Sequence, residues 1–189
     1  MKICYAFCGS YCTLAESVTQ LQALKSAGHD IIPVGSFNFA TVDTRFGEGQ
    51  HWISRVKEIT GHQVINTIAA AEPVGPVLQP DAMIIAPCTG NTLAKLATGI
   101  SDTPVTLAAK SHLRNKRPLI IALSSNDGLG ANFKNIATLY EKKHVYFVPL
   151  LQDDVEQKPY SLSCDFSLIP DTLAMAMEGR QLLPLFGMM

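Results

Sequence analysis

The chain has 189 residues, a formal net charge of −1, and 47% hydrophobic against 16% charged residues. This near neutrality gives no electrostatic basis for binding nucleic acid or an anionic membrane, and no apolar stretch reaches the roughly 18 residues of a membrane span. The length predicts a single domain over residues 1–189. The low charged fraction favours a homo-oligomer, although a large core would account for part of it. Five cysteines without paired spacing indicate reduced thiols in a cytoplasmic protein.

The first half of the chain alternates apolar runs with segments of helical periodicity. Strands are predicted over residues 2–7 and 30–37, and helices over 14–27 and 52–60, each helix ending at a glycine. The polar segment 38–52 between them predicts a loop. Prolines interrupt residues 62–80, which predict only a brief strand near Val64 and a helix through Ala71.

The second half continues the same alternation. Strands are predicted over 82–86, 119–123 and 145–148, helices over 91–98, 103–113, 131–143 and 171–182, and a loop over 151–165. Strands that are apolar throughout and separated by helices are typical of a parallel sheet covered on both faces. The sequence therefore predicts a doubly wound, Rossmann-like or flavodoxin-like α/β fold.

The predicted strand ends carry the residues best suited to bind a ligand, because doubly wound sheets bind ligands beyond the carboxyl ends of their strands. These ends read CGSYC, SFNFAT, APCTGNT and SSNDGLG, beginning at residues 8, 36, 86 and 124. Backbone amides and hydroxyls at Gly9–Ser10 and Thr89–Thr92 are suited to a phosphate. Each could alternatively be an ordinary helix cap, and the convergence of four such loops favours a phosphate-bearing ligand.

Familiar catalytic signatures are absent: the sequence has no G-x-G-x-x-G after its first strand, no phosphate-binding G-x-x-x-x-G-K-[ST] and no G-x-S-x-G. Cys88 is interpreted as a thiolate at a helix start or as a buried small hydrophobe. His62 is an acid/base candidate or a surface histidine, and Arg45 a carboxylate ligand on a mobile lid or a solvated loop charge. Cys8 and Cys12 lack a partner histidine, so no metal site is predicted.

One segment carries a family resemblance. APCTGNTLAKLATGISD, residues 86–102, resembles the signature of the flavoprotein family that includes phosphopantothenoylcysteine decarboxylase, the lantibiotic peptidyl-cysteine decarboxylases and the prenyl-flavin synthases. CGS at residues 8–10 is similar to that family's phosphate loop, and Asn126 matches the asparagine of its P-A-M-N segment. The resemblance implies a three-layer flavoprotein fold, bound FMN, and trimers or multiples of trimers with FMN at the interface.

The resemblance also implies roles for individual residues. The expected catalytic residues are Asn91, Asn126 and Arg45, and Ser125, Asn126 and Arg45 would contact the substrate. Arg45 or Lys95 would face a carboxylate, although Lys95 could equally be a surface helix residue. Phe37 and Asn38 would lie near the flavin ring. The full set of positions expected to bind the flavin is Gly9, Ser10, Tyr11, Phe37, Asn38, Pro87, Thr89, Gly90, Asn91, Thr92, Ser124 and Ser125.

A narrower resemblance covers nearly the whole chain. It rests on TRFGEGQHW, APCTGNTLAKLATGISDTPV, AAKSHLRNKRP, SSNDGLG and PLLQDDVEQKP. It implies one part of an oxidoreductase that acts on a ring dicarboxylate, with NADP entering through a separate dinucleotide-binding partner. The catalytic histidine of the decarboxylases is missing from residues 65–76, so cysteine decarboxylation is not expected. Two interpretations stay open: a catalytic flavoprotein, or a flavoprotein-fold scaffold that activates its partner.

Overall fold

The computed structural model describes residues 1–152 and 154–187. Its sheet contains five parallel strands in the order β2-β1-β3-β4-β5, and strand order reverses between β1 and β3. Such a reversal marks the ligand-binding crevice of doubly wound sheets. The predicted fold class is confirmed. The strands are β1 Lys2–Phe7, β2 Asp30–Gly35, β3 Ala82–Cys88, β4 Leu119–Ser125 and β5 Val145–Phe147.

Two short antiparallel strands extend the sheet beside the carboxyl end of β4. They are β6 Leu150–Leu151 and β7 Leu162–Cys164. β7 pairs with β4 at Ser124 and Ser125, and β6 pairs with β7. The loop predicted over residues 151–165 was therefore wrong at both ends, because strands of two and three residues are too short to show a periodic pattern.

The described residues form eight α-helices; α1 to α7 lie between strands, and α8 follows β7. α1 packs against α8, whereas α5 packs against α6 and α7. Their bounds are α1 Leu14–Ser26, α2 Phe37–Thr41, α3 Gly49–Thr60, α4 Ile68–Ala71, α5 Gly90–Thr98, α6 Pro104–Leu113, α7 Phe133–Tyr140 and α8 Ile169–Met177. Within the two described ranges, no helix combines the length and apolar character of a membrane span.

The segment after β2 differs from the sequence prediction. The second strand ends at Gly35, and Ser36 then begins α2, its Oγ accepting a hydrogen bond from the Phe39 amide at 3.2 Å. The predicted loop over 38–52 contains most of α2 and the first turn of α3. A five-residue helix has too few turns for a periodic signal. Phe37 is therefore a half-exposed helical residue and not the last residue of a strand.

Several predicted boundaries also shift. α7 and α8 are shorter than the predicted helices 131–143 and 171–182, and α8 begins two residues earlier. Near Val64 the structure has a single β-bridge at Ile65, paired with Val34, in place of a strand. Shifts of this kind are expected because helix and strand ends depend on caps and tertiary contacts.

Burial explains why the sheet edge beyond β1 and β3 is well defined. β3 is buried at all seven of its residues, and β1 at every residue after Lys2. Helices on both faces exclude water from these central strands. The loops that follow Phe7 and Cys88 therefore begin at a rigid core. This fixes the positions of the first side chains in each loop.

Candidate functional site

The carboxyl ends of β1, β3 and β4 open into a cleft of about 790 Å³. The cleft brings together residues selected from the sequence that come from four separate segments of the chain. Among the described residues, its lining is Gly9, Ser10, Tyr11, Cys12, Arg45, Phe46, Thr89, Gly90, Asn91, Ala94, Ser124, Ser125, Asn126, Asp127, Asn132 and Lys158.

A smaller cavity of about 290 Å³ adjoins this cleft and shares Gly9, Thr89 and Asn91 with it. The remaining lining residues are Cys8, Ser36, Phe37, Asn38, Thr92, Lys95 and Thr103. The sequence-selected residues thus divide between two joined spaces. Pro87 lines neither space; it is buried in β3, and its carbonyl oxygen accepts a hydrogen bond from the Cys8 amide at 3.2 Å. This hydrogen bond joins the end of β1 to the end of β3, where the two loops begin.

Thr89 organises the start of α5. Its Oγ1 accepts a hydrogen bond from the Thr92 amide at 3.3 Å and donates to Thr92 Oγ1 at 3.2 Å. Thr92 Oγ1 donates in turn to Cys8 Sγ at 3.3 Å. The amides of Gly90 and Asn91 lie in the first helical turn, where backbone donors have no intrahelical acceptor. The same segment is thus a helix cap and a place where an anion can bind.

The loop after β1 is tied to its neighbours by side chains. Ser10 Oγ donates to Ser124 Oγ at 3.0 Å, which joins the ends of β1 and β4. Tyr11 Oη donates to the Asn38 carbonyl at 3.0 Å, which joins the β1 loop to α2. A Cβ on Gly9 would lie 3.2 Å from that tyrosine oxygen. These contacts hold three strand ends in one arrangement.

A carboxylate that the sequence reasoning missed lies at this edge. Asp127 Oδ1 accepts hydrogen bonds from Ser125 Oγ at 2.6 Å and from Asn132 Nδ2 at 2.7 Å. Asn135 Nδ2 donates to Asn132 Oδ1 at 2.9 Å, which fixes the orientation of that amide. Hydrogen bonds from Ser125 and then Asn132 hold the pKa of Asp127 below its ordinary value. Asp127 precedes Gly128 in the sequence, and such a pair is easily interpreted as turn chemistry alone.

Gly90 packs directly against this network. A Cβ at residue 90 would lie 2.5 Å from Asn132 Nδ2 and 2.6 Å from Ser125 Oγ. Real side chains essentially never make such close contacts. The first turn of α5 therefore approaches the Asp127 network closely only because residue 90 has no side chain.

The cations near the site are not equivalent. Lys95 Nζ lies 2.7 Å and 2.9 Å from the two carboxylate oxygens of Asp102, and its hydrogen bond lowers the pKa of that carboxyl group. Arg45 is exposed, and its guanidinium carbon lies 4.8 Å from the ring centroid of Phe46. No carboxylate among the described residues forms an ion pair with Arg45. Arg45 is the better placed of the two to bind an anionic ligand.

Asn91 and Asn126 present unpaired amides to the cleft. Both residues are exposed and line it. Neither side chain forms a hydrogen bond to another part of the chain that the structure describes. An amide group offers both a donor and an acceptor, so each is available to orient a polar ligand.

Other candidates lie outside the chemistry of the cleft. Cys88 is buried, and desolvation raises the pKa of its thiol well above the ordinary value, so it behaves as a small hydrophobe. His62 Nε2 lies 3.0 Å from Asp30 Oδ1, at the start of β2 and the opposite edge of the sheet. Cys8 is buried and Cys12 exposed. Within residues 1–152 and 154–187, no three His, Cys, Asp or Glu side chains are grouped as metal ligands.

A doubly wound sheet with polar loops at its switch point is an architecture that many nucleotide-binding proteins share. The model of the Flavoprotein family matches residues 2–177, and the chain belongs to that family. It is 40% identical over 184 residues to the B subunit of dipicolinate synthase from Bacillus subtilis (strain 168), covering 97% of this chain and 92% of that protein. The resemblance expected from the five sequence segments is therefore confirmed.

Solved structures give the same result. The crystal structure of the dipicolinate synthase B subunit from Bacillus halodurans C matches with a TM-score of 0.91 and 37% identity, covering 99% of this chain and 96% of that one. The FMN-dependent cysteine decarboxylase SpaF matches with a TM-score of 0.67 and 21% identity, covering 93% and 97%. At that identity, the second match shows the shared fold alone.

Proposed function

We propose that this chain is the flavoprotein-type component of an oxidoreductase that converts dihydrodipicolinate to dipicolinate (pyridine-2,6-dicarboxylate) during sporulation, in the cytoplasm of the mother cell. It would work with a dinucleotide-binding partner, the A subunit of dipicolinate synthase, which would bring NADP. The proposal is carried by a polar cleft whose lining includes Arg45, a cation that forms no ion pair with a described carboxylate. The chain around it is similar to the B subunit of that enzyme over 97% of its length.

The residues of the two joined spaces fit FMN. The backbone amides of Gly90 and Asn91 at the start of α5 and the Ser36 hydroxyl supply donors suited to a phosphate dianion. Thr89 and Thr92 hold that helix start in place through their own hydrogen bonds. Phe37 is 43% exposed and lines the same cavity, where its ring offers an apolar surface. When bound, FMN would supply a two-electron acceptor for hydride. The chain's own part would be to hold the phosphate and ring and to orient the substrate against them.

Arg45 supports a carboxylate-bearing substrate. A guanidinium can donate two parallel hydrogen bonds to one carboxylate, and no carboxylate of the described residues pairs with this one. The amides of Asn91 and Asn126 would orient the ligand, with Ser124 and Ser125 completing the polar wall. Bound in this way, a dicarboxylate would have one acidic group at the rim and its ring inside the cleft.

The cofactor proposal is tested by the absorption spectrum and by calorimetry. The purified protein is expected to be yellow or to take up FMN when it is added. Thr89→Val should weaken FMN binding because it removes an oxygen at the start of α5, whereas Thr138→Val, on the exposed face of α7, should not. Calorimetry that detects no FMN binding under any condition would remove the flavin from the proposal.

The scaffold interpretation is the second candidate. The region that carries the decarboxylase histidine has none here, between residues 65 and 76, which also argues against an FMN-dependent decarboxylase. The dinucleotide-binding partner should be assayed alone, with this chain, and with its Asn91→Ala and Asn126→Ala variants. Asn66→Ala, an exposed asparagine outside the cleft, is the matched control. Loss of turnover in the two cleft variants supports catalysis here, whereas full turnover supports the scaffold.

The proposed assembly is a homo-oligomer, either a trimer or a multiple of trimers. Large apolar side chains are exposed on the chain, among them Val77 at 72% and Leu183 at 67%. Burial of such side chains between copies of the chain would be favourable. Mass photometry of the purified chain at nanomolar concentration is expected to give masses in multiples of three chains; a monomer or a dimer would contradict the proposal.

A further inference from the structure

The Asp127 carboxylate is held in one orientation at the cleft wall. Ser125 and Asn132 both donate to Oδ1, and Asn135 fixes the Asn132 amide. Asp127 lines the cleft, and Oδ2 has no hydrogen-bond or ion-pair partner among the described residues. One oxygen is therefore fully engaged by the protein, and the other is available to a ligand.

Within the described part of the chain, no cation pairs with this negative charge. The pKa of Asp127 is lowered by neutral hydrogen-bond donors, with Ser125 first, and no positively charged side chain contributes to the shift. Arg45 lies on the exposed loop that forms another part of the lining, where it interacts with Phe46. The cleft lining thus carries one fixed negative charge, Asp127, and two cationic residues, Arg45 and Lys158. A matching ligand would carry charges of both signs.

We propose that Asp127 selects and stabilises the positively charged state of a ring whose carboxylates are held in this cleft. The inference rests on the proposed function, since it takes a ring dicarboxylate as the ligand. Asp127 would then act on the ligand beside Arg45, Asn91 and Asn126, and it would favour the positively charged ring over the neutral one.

The oxidation would create that charge. Removing hydride from a dihydropyridine ring breaks one C–H bond and takes both electrons to a hydride acceptor of the flavin or nicotinamide class. The ring is left with one positive charge, and loss of one proton to water in the open cleft completes aromatisation. A preoriented carboxylate lowers the energy of such a charge without reorganising. Asp127, ionised and fixed before the ligand arrives, meets this requirement.

A purely structural role for Asp127 makes a different prediction. The amide oxygen of an asparagine can accept the same two hydrogen bonds from Ser125 and Asn132. Asp127→Asn therefore keeps the local structure and removes only the charge. If the carboxylate serves the turn alone, this substitution leaves ligand preference unaltered.

The test compares two probes with the same pair of carboxylates on a six-membered ring. These are 1-methylpyridinium-2,6-dicarboxylate, whose ring is positively charged, and benzene-1,3-dicarboxylate, whose ring is neutral. Calorimetry on the full chain gives the ratio of their dissociation constants. In Asp127→Asn the preference for the cationic ring is expected to fall about tenfold, the effect of one screened charge pair. Glu48→Gln removes a charge from an exposed residue outside the cleft lining and should leave the ratio unchanged.

The outcomes separate the inference from the function on which it rests. If both probes bind and the ratio is the same in Asp127→Asn as in the parent chain, Asp127 does not sense ring charge. If neither probe binds to the parent chain, the dicarboxylate ligand itself is wrong and the inference is overturned with it. Asp127→Ser is a second neutral variant and should show the same loss of preference, with circular dichroism confirming that each variant is folded.

Discussion

Among single residues, Gly90 sets the tightest steric limit on the cleft. It is the first residue of α5 and touches the polar network at the end of β4, so it links two of the loops that form the site. The approach brings the positive end of the α5 dipole close to the ionised Asp127 carboxylate, which is favourable. Residue 90 of the segment 86–102 must therefore be glycine for packing, and the same glycine also begins helix α5.

Gly90→Ala should destabilise the fold. Its Cβ would lie 2.5 Å from Asn132 Nδ2 and 2.6 Å from Ser125 Oγ, both buried, and relief of such crowding costs about 1–3 kcal/mol. Urea unfolding measures the change. Gly130→Ala is the matched control, because its Cβ would meet its nearest neighbour at 3.5 Å, an ordinary contact. Equal stability of the two variants would contradict the packing argument.

Asp127 should also contribute a pH-dependent stability. Its folded-state pKa lies below the unfolded value of about 4, so the ionised group favours the folded state at higher pH. That contribution is present above about pH 4 and is lost as pH falls through the lowered folded-state pKa. The stability difference between the parent chain and Asp127→Asn should therefore shrink on acidification. Urea unfolding between pH 6 and pH 3 tests this, and a constant difference would exclude it.

At the scale of helices and strands, the first strand and the first helix were predicted well, and three of the shortest elements were missed. β1 was predicted with its observed bounds, and α1 to within one residue. α2, β6 and β7 were missed, because elements of two to five residues take their stability from tertiary contacts. Ser36 before Phe37 was a usable signal, since serine is a favoured helix cap.

The candidate site shows the same division. The strand ends could be predicted from the sequence, because parallel strands place their carboxyl ends at one edge. The Asp127 network could not, since it depends on Asn132 and Asn135 turning back toward Ser125 through a loop and the first turn of α7. The sequence also did not predict the ion pair between Lys95 and Asp102, although both residues belong to the family signature.

The start of α6 offers a test of capping. Thr103 and Thr106 form a reciprocal capping box, in which each side chain bonds the other residue's amide. Thr103→Ala should therefore lower the free energy of unfolding by about 1 kcal/mol. Thr138→Ala, in the exposed middle of α7, should be neutral or slightly stabilising because alanine is the better helix former. Thermal unfolding of both variants decides the point; a neutral Thr103→Ala would show that the box contributes nothing.

For the molecule as a whole, we expect the buried His112 to make the free energy of unfolding decrease as the solution becomes mildly acidic. It is fully buried, its Nε2 lies 3.0 Å from the Pro118 carbonyl oxygen, and its Nδ1 has no partner among the described residues. Burial lowers its pKa, so near and below about pH 6.5 the unfolded chain binds a proton that the folded chain excludes. Global stability should therefore fall as pH drops from 7.5 to 5.5, with a shallower slope in His112→Gln. An unchanged slope would overturn this assignment; His51→Gln, an exposed histidine, should keep the parent slope.

Burial of four of the five thiols should allow a thiol-reactive dye to label the native chain at one cysteine. Cys4, Cys8, Cys88 and Cys164 are buried, and burial raises the pKa of Cys4 to about 12 and of Cys8 to about 11, so these thiols stay protonated and sterically shielded. Cys12 is exposed on the cleft lining. A maleimide dye should therefore attach once to the native chain, as mass spectrometry would show, and Cys12→Ser should abolish labelling. A dye placed there would report by fluorescence on any molecule that enters the cleft.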